Sequence, residues 1–214
     1  MKICETGRSM IEMLGVLAII GVLSVGSLAG YSKMMSQYKI DASLEYVGMI
    51  VSKISAYGTN ADSYEGLTNY TAYKLNAIPS DMLVEYNDNN KTATLTNPFG
   101  GGANIKASTL ANSNTGDNQA YVVILTGLTE EACVALGSGA WKNVRNSSFV
   151  GLGVGTKQDD IEKKLYMNCS NATDNSTYSV ACSGESGSLP MDMGNATAAC
   201  SCPGSNCVFM MKFY

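Results

Sequence analysis

The sequence predicts an α+β protein in which one long N-terminal helix is laid on a sheet of short strands. Three observations predict it. From Met13 onward about twenty residues carry no charge, enough helix to cross the hydrocarbon core of a bilayer. That run flows without a stop signal into an amphipathic stripe, Ile40, Leu44, Val47, Val51 and Ile54, spaced by alternate steps of four and three. The second half of the chain then breaks into short β-branched and aromatic runs separated by Gly, Asn and Ser, and all the cysteines except Cys4 lie there.

Taken in order, the first element is a helix over residues 9–56, roughly 70 Å long at 1.5 Å per residue. Its first half is apolar all round; its second half keeps Lys39, Asp41, Glu45 and Lys53 off the stripe, leaving one face to lie on a sheet. Gly58-Thr59-Asn60 ends it. The carboxylate of Glu12 at the mouth of the apolar run is the residue that needs explaining, since an acid there usually has a partner and a purpose. Gly26 and Gly30 form a G-x-x-x-G, the spacing that lets helices approach closely in an apolar medium.

Beyond the helix, residues 58–90 are polar and rich in Tyr and Asn, with one short helix expected over 70–77, before Pro79. Strands are expected at Thr92–Thr96 and 120–126, with 100–118 as loop and edge material between them. Thr129 caps a short helix whose first turn holds Glu130 and Glu131 and which Gly137 ends. Further strands are expected at 148–154 and Tyr178–Cys182, with a helix over 159–167 capped by Thr156. The last strand, Cys207–Phe213, is apolar on nearly every residue and is therefore expected at the centre of the sheet.

Composition removes several function classes. The chain of 214 residues has no histidine, which takes away the usual base of Ser or Cys hydrolases and the usual zinc ligand. The adjacent carboxylates, Glu130-Glu131 and Asp159-Asp160, sit where helix N-termini explain them. No phosphate loop or dinucleotide fingerprint is present, so neither an enzyme nor a bound cofactor is expected. A net charge of −4 gives no footprint for nucleic acid. Cys133, Cys169, Cys182, Cys200, Cys202 and Cys207 form an even set beyond the apolar run, which reads as disulfides in an oxidising compartment. Cys202 and Cys207 are close in sequence, yet with no paired C-x-x-C a metal site is not expected. Six cysteines allow fifteen pairings, and the residues alone do not choose among them.

Gly7, then four residues, then Glu12 and an unbroken apolar helix resembles the prepilin signature of type IV pilins. Asn97-Pro98-Phe99-Gly100-Gly101 and Gly127-Leu128-Thr129-Glu130-Glu131-Ala132-Cys133 resemble blocks of the type IVb subclass, which includes toxin-coregulated and conjugative thin pilus subunits. Two departures stand beside the resemblance: Arg8 occupies the position after the cleaved Gly, where the family usually has an apolar residue, and the leader is shorter than is usual for type IVb. The resemblance implies a type IV pilin fold, a long helix packed on an antiparallel sheet with a disulfide-bonded C-terminal region. It implies that residues 1–7 are a leader removed by a prepilin peptidase between Gly7 and Arg8, that Arg8 is then N-methylated, and that Glu12 becomes the fifth residue of the mature chain.

On the same basis residues 8–32 are the transmembrane and filament-core half of the helix, and 33–214 the periplasmic or extracellular head, with 33–57 its amphipathic helical part. The subunit is then held in the inner membrane and polymerised with copies of itself into an extracellular pilus, its partners being the peptidase, the assembly platform and minor pilins. Glu12 pairs with the amino terminus of a neighbouring subunit. The family pattern also implies a Cys133–Cys200 disulfide, with Cys202 the rival partner, and leaves Cys169–Cys182 and Cys202–Cys207 as local pairs. A minor pilin or a type II secretion pseudopilin uses the same helix, and a membrane-anchored extracytoplasmic binding module uses the span only as an anchor; both remain alternatives.

Overall fold

The computed structural model describes residues 10–58, 63–111, 117–139, 141, 148–174, 177–183, 189–204 and 206–214. Helix α1 runs over Met10–Gly58, and the chain divides into two compact units between Tyr38 and Lys39. In the first unit the described residues are helix alone.

The second unit is built on one eight-stranded sheet, in the order β1-β2-β3-β4-β8-β5-β7-β6, with every neighbouring pair antiparallel. The strands are β1 Leu83–Asn87, β2 Thr92–Thr96, β3 Gly102–Ser108, β4 Ala120–Leu128, β5 Phe149–Gly155, β6 Ala172–Asp174, β7 Tyr178–Cys182 and β8 Cys207–Phe213. The short helices are α2 Asn69–Lys74, α3 Glu130–Ser138, α4 Gln158–Lys164 and α5 Met193–Ala199. Alternation along β4 and β8 gives the sheet two apolar faces. Val123, Leu125, Phe209 and Met211 share one core with Ile40, Val47, Ile50 and Ile54 of α1 and with α3 and α5. Val122, Ile124, Val208 and Met210 share the other with Ile161 and Leu165 of α4 and its flank. Strand β8 lies between β4 and β5 and is buried along its whole length, which is why it carries almost no polar residue.

Several expectations need correction. Residues 100–118, expected as loop, contain β3, which pairs with β4 over six residues from Ala103 to Ser108. Its composition, GANIKAS, is poor in β-branched residues, and what makes it a strand is the turn before it. The buried amide of Asn97 accepts from the N–H groups of Phe99 and Gly101 and donates to the carbonyls of Gly102 and Thr126, while Gly100 takes φ +87°. This folds N-P-F-G-G into a tight reversal that aims the chain back along the sheet. Strand β1 was not expected within the polar 58–90 stretch; a turn in which Asn87 accepts from Asn89 and Asn90 returns the chain from it to β2. The helix expected over 70–77 is shorter, Asn69–Lys74, with Thr68 and Thr71 forming a capping box. Helix α4 begins after Lys157 with no side-chain cap and ends before Leu165; Thr156 instead bonds the Thr177 carbonyl. Strand β6 and α5 were not expected; Asp192 caps α5 by accepting from Gly194 and Asn195.

Strand β5 reads Phe-Val-Gly-Leu-Gly-Val-Gly, and its glycines face α4 and β7. A Cβ on Gly153 would collide with the Ile161 side chain, and one on Gly151 would lie 2.7 Å from the Ala181 carbonyl oxygen. The close approach of α4 to the sheet therefore requires a bare backbone there.

One charge interrupts β8. Lys212 is 1% exposed, and its ammonium donates to the carbonyls of Thr109, at 2.9 Å, and Leu165. Burial pushes it down to about 8 from the ordinary lysine value, against the pull of Glu162 and Asp117 and with some help from Lys106. The lysine thereby fastens two loop carbonyls to the central strand.

Three disulfides cross the head: Cys133–Cys200, Cys169–Cys182 and Cys202–Cys207, separated by 67, 13 and 5 residues. The first ties α3 to the end of α5, the second ties the segment after α4 to β7, and the third closes the approach to β8.

Two outcomes are expected. Replacing Cys133 and Cys200 together by Ser should cost the head about 4 kcal/mol in the chain-entropy account, against about 2 kcal/mol for Cys202 and Cys207 together; denaturant unfolding of the variants measures both. The second concerns pH. The unfolded chain keeps the Lys212 proton up to about 10.5, while the folded head releases it from about 8. Between those values the unfolded state binds more protons, so the Lys212 contribution to stability rises with pH. Lys212→Met should abolish a gain on the order of 2 kcal/mol between pH about 7.5 and 9.5, measured as the difference between wild type and variant.

Candidate functional site

The first unit presents an unusual surface. Every large apolar side chain from Met10 to Leu28 is exposed, by 53 to 84%. One 18-residue window of the helix has mean hydropathy 2.2 and no buried residue. Covering an aliphatic side chain of this kind stabilises by roughly 1.5–3 kcal/mol, and a dozen of them together require an apolar surrounding. Two of the polar groups within the stretch are already satisfied. The hydroxyls of Ser24 and Ser27 donate to the carbonyls of Ile20 and Leu23 one turn back, so neither needs water. The segment fits a bilayer or a bundle of like helices equally well.

Glu12 lies in the first turn of α1, with its side chain exposed. Gly26 and Gly30 have open space where a Cβ would stand, as do Gly15 and Gly21, so nothing among the described residues requires them to be small. The expected cleavage residues Gly7 and Arg8, and Cys4 before them, lie outside the described residues.

The head carries polar clusters of a different kind. The Ser108 hydroxyl donates to Glu162 at 3.0 Å, and the same carboxylate pairs with Lys106 at 2.8 Å, which braces β3 against α4. Glu130 and Glu131 occupy the first turn of α3, and Asp159 and Asp160 that of α4. The sulfurs of Cys133, Cys202 and Cys207 lie within 4.8 Å of one another, but each is bonded in a disulfide and offers no thiolate to a metal. Two residues that organise the head were given no structural role from the sequence. Asn97 entered only as the first residue of the N-P-F-G-G block, and Lys212, not singled out at all, could have been found as the one charge in an apolar strand.

A groove of about 660 Å³ runs beside the exposed edge of α1 in the second unit. Its lining includes Leu44, Met49 and Lys53 of the helix, Ile78 and Pro79, and Trp141, whose indole N–H donates to the Leu136 carbonyl at 2.8 Å.

No family model matches the chain, and no curated protein does. Solved structures do match. A type IVb pilin from Salmonella typhi aligns with 79% of this chain and 95% of its own, at 14% identity and a TM-score of 0.51. TcpA, a type IV pilin from the Vibrio cholerae El Tor biotype, aligns with 83% of this chain and 99% of its own, again at 14% identity and a TM-score of 0.51. At such identity the likeness is one of backbone arrangement: a long N-terminal helix, an antiparallel sheet and disulfides in the C-terminal region. The chain has the type IV pilin fold, in the form found in type IVb pilins.

Proposed function

We propose that this chain is a structural subunit of a type IV pilus, cleaved between Gly7 and Arg8, held in the inner membrane by residues 8–32 and polymerised through α1. The observation that carries the reading is the fully exposed apolar half of α1 in a chain whose disulfide-bonded remainder has the pilin fold. Such a half-helix serves first as a membrane span and then, with other copies, as the core of a fibre.

Glu12 supplies register. Cleavage after Gly7 frees the amino group of Arg8 and leaves Glu12 as the fifth residue. In a lipid-free bundle a carboxylate needs a cation, and the terminal amine of the next subunit provides one. The carboxylate then resists sliding of one helix along another, which aliphatic contacts alone permit. The head, exposed on the fibre, plays a structural and not a catalytic part, and the partners in processing are a prepilin peptidase, an assembly platform and minor pilins.

Two measurements test this. N-terminal sequencing of the chain from a membrane or fibre fraction should begin at Arg8; a sequence still beginning at Met1 would return the chain to a simple membrane anchor. Glu12→Ala should leave the head folded, with its disulfides intact, yet lower fibre yield at least tenfold, counted by electron microscopy of sheared material. Wild-type yield from that variant would remove Glu12 from assembly.

A further inference from the structure

Two disulfides of the head meet at one point. The sulfurs of Cys133, Cys202 and Cys207 lie within 4.8 Å of one another, although Cys133 is bonded to Cys200 and Cys202 to Cys207. The turn after α5 brings this about. Cys200 ends the helix with its N–H on the Ala196 carbonyl, and the Cys202 N–H donates to the Cys200 carbonyl at 2.9 Å, which holds both cysteines in one tight turn. Gly204, at φ +70°, then helps to bring Cys207 back beside Cys202. All four residues are at most 2% exposed. The remaining pair, Cys169–Cys182, belongs to the core on the other face of the sheet.

Cys133 therefore lies beside its own partner and beside both members of the local bond. Disulfides exchange when a thiolate attacks a disulfide sulfur and a mixed disulfide forms between them, so sulfurs already gathered at one point have most of the approach made for them. The two bonds also differ in how readily they close. A separation of 5 residues costs less chain freedom than one of 67, which makes Cys202–Cys207 the easier bond for an oxidising chain to form.

We infer that Cys202–Cys207 is an internal disulfide donor through which the Cys133–Cys200 bond is made. In the first step the Cys133 thiolate attacks the Cys202 sulfur. The Cys133–Cys202 bond forms, the Cys202–Cys207 bond breaks, and its electron pair leaves on Cys207 as a thiolate. In the second step the Cys200 thiolate attacks the Cys133 sulfur, the Cys133–Cys200 bond forms, and Cys202 leaves as a thiolate. Cys133 and Cys200 are thereby oxidised and Cys202 and Cys207 reduced, with the same pair of electrons passed between them. A disulfide oxidant, either a small-molecule disulfide or a protein of the dithiol–disulfide class, then takes up those electrons and restores Cys202–Cys207. With both bonds closed no thiolate is left among the four, and their burial shuts out external thiols, so the finished connectivity is kept. This chemistry is independent of the filament reading.

The test uses the full-length chain in detergent, reduced and unfolded, then returned to native conditions with oxidised glutathione; thiols are trapped with acid and alkylated before peptide mapping. In wild type, Cys202–Cys207 should appear first, a Cys133–Cys202 species should rise and fall, and Cys133–Cys200 should follow. Cys202→Ser with Cys207→Ser should form Cys133–Cys200 about tenfold more slowly, because the intramolecular donor and its high effective concentration are gone. Cys169→Ser with Cys182→Ser removes a local bond on the other face and should form it at the wild-type rate. Cys207→Ser alone isolates the mixed step: its Cys202 thiol should compete with Cys200 for Cys133, giving both Cys133–Cys200 and Cys133–Cys202 in the folded head. Equal rates with and without the Cys202–Cys207 pair overturn the proposal, as does a slowing of the same size without Cys169–Cys182. A Cys207→Ser chain in which Cys202 stays a free thiol and Cys133 is bonded to Cys200 alone overturns it as well.

Discussion

A 49-residue helix that is apolar on every side in its first half and on one side in its second imposes two solvents on one chain. The rest of the structure answers the second half. Ile40, Val47, Ile50 and Ile54 need a flat apolar partner, and the sheet supplies it through alternate residues of β4 and β8. Because a sheet has two faces, the other alternation must also be covered, and α4 covers it. Covering both faces is what makes β8 a fully buried strand.

The parts of the fold legible in the sequence are those where one local signal was strong enough to act alone. The stripe on α1, the apolar run of β8 and the Thr129 cap with its two glutamates each state their structure within a few residues. The missed elements depend on partners distant in sequence. β3 contains one β-branched residue, and it becomes a strand because Asn97 fixes a turn and β4 offers a ladder. α5 is only seven residues long, and its capping Asp192 is set among small polar residues that would equally suit a loop. For the candidate site, the apolar run and Glu12 were readable because their chemistry is unusual for a soluble chain. The groove was not, since it is formed by residues 41–53, 76–79 and 141 meeting in space.

Two buried polar residues give the head much of its definition. A core of aliphatic side chains tolerates small slips, whereas Asn97 has its acceptors and donors fully engaged and Lys212 holds two carbonyls at once. A strand register shifted by one residue would leave these groups in apolar surroundings without partners, at a cost of roughly 1–3 kcal/mol each or more for the charge. The disulfides act by another route, since they limit the unfolded chain and do not choose among folded registers. Polar groups thus select the arrangement, and the covalent links keep it from being lost.

The same division of labour extends to the proposed filament. Apolar burial along residues 10–28 is large and non-directional, so by itself it holds helices together without fixing how far one is displaced along another. Register has to come from groups that are satisfied in only one arrangement. In the filament proposed above, Glu12 is the group that supplies it, with a neighbouring terminal amine as the proposed partner. On that reading a subunit lacking Glu12 keeps the apolar attraction between helices but loses the group that fixes their displacement, so its helices associate without a single register.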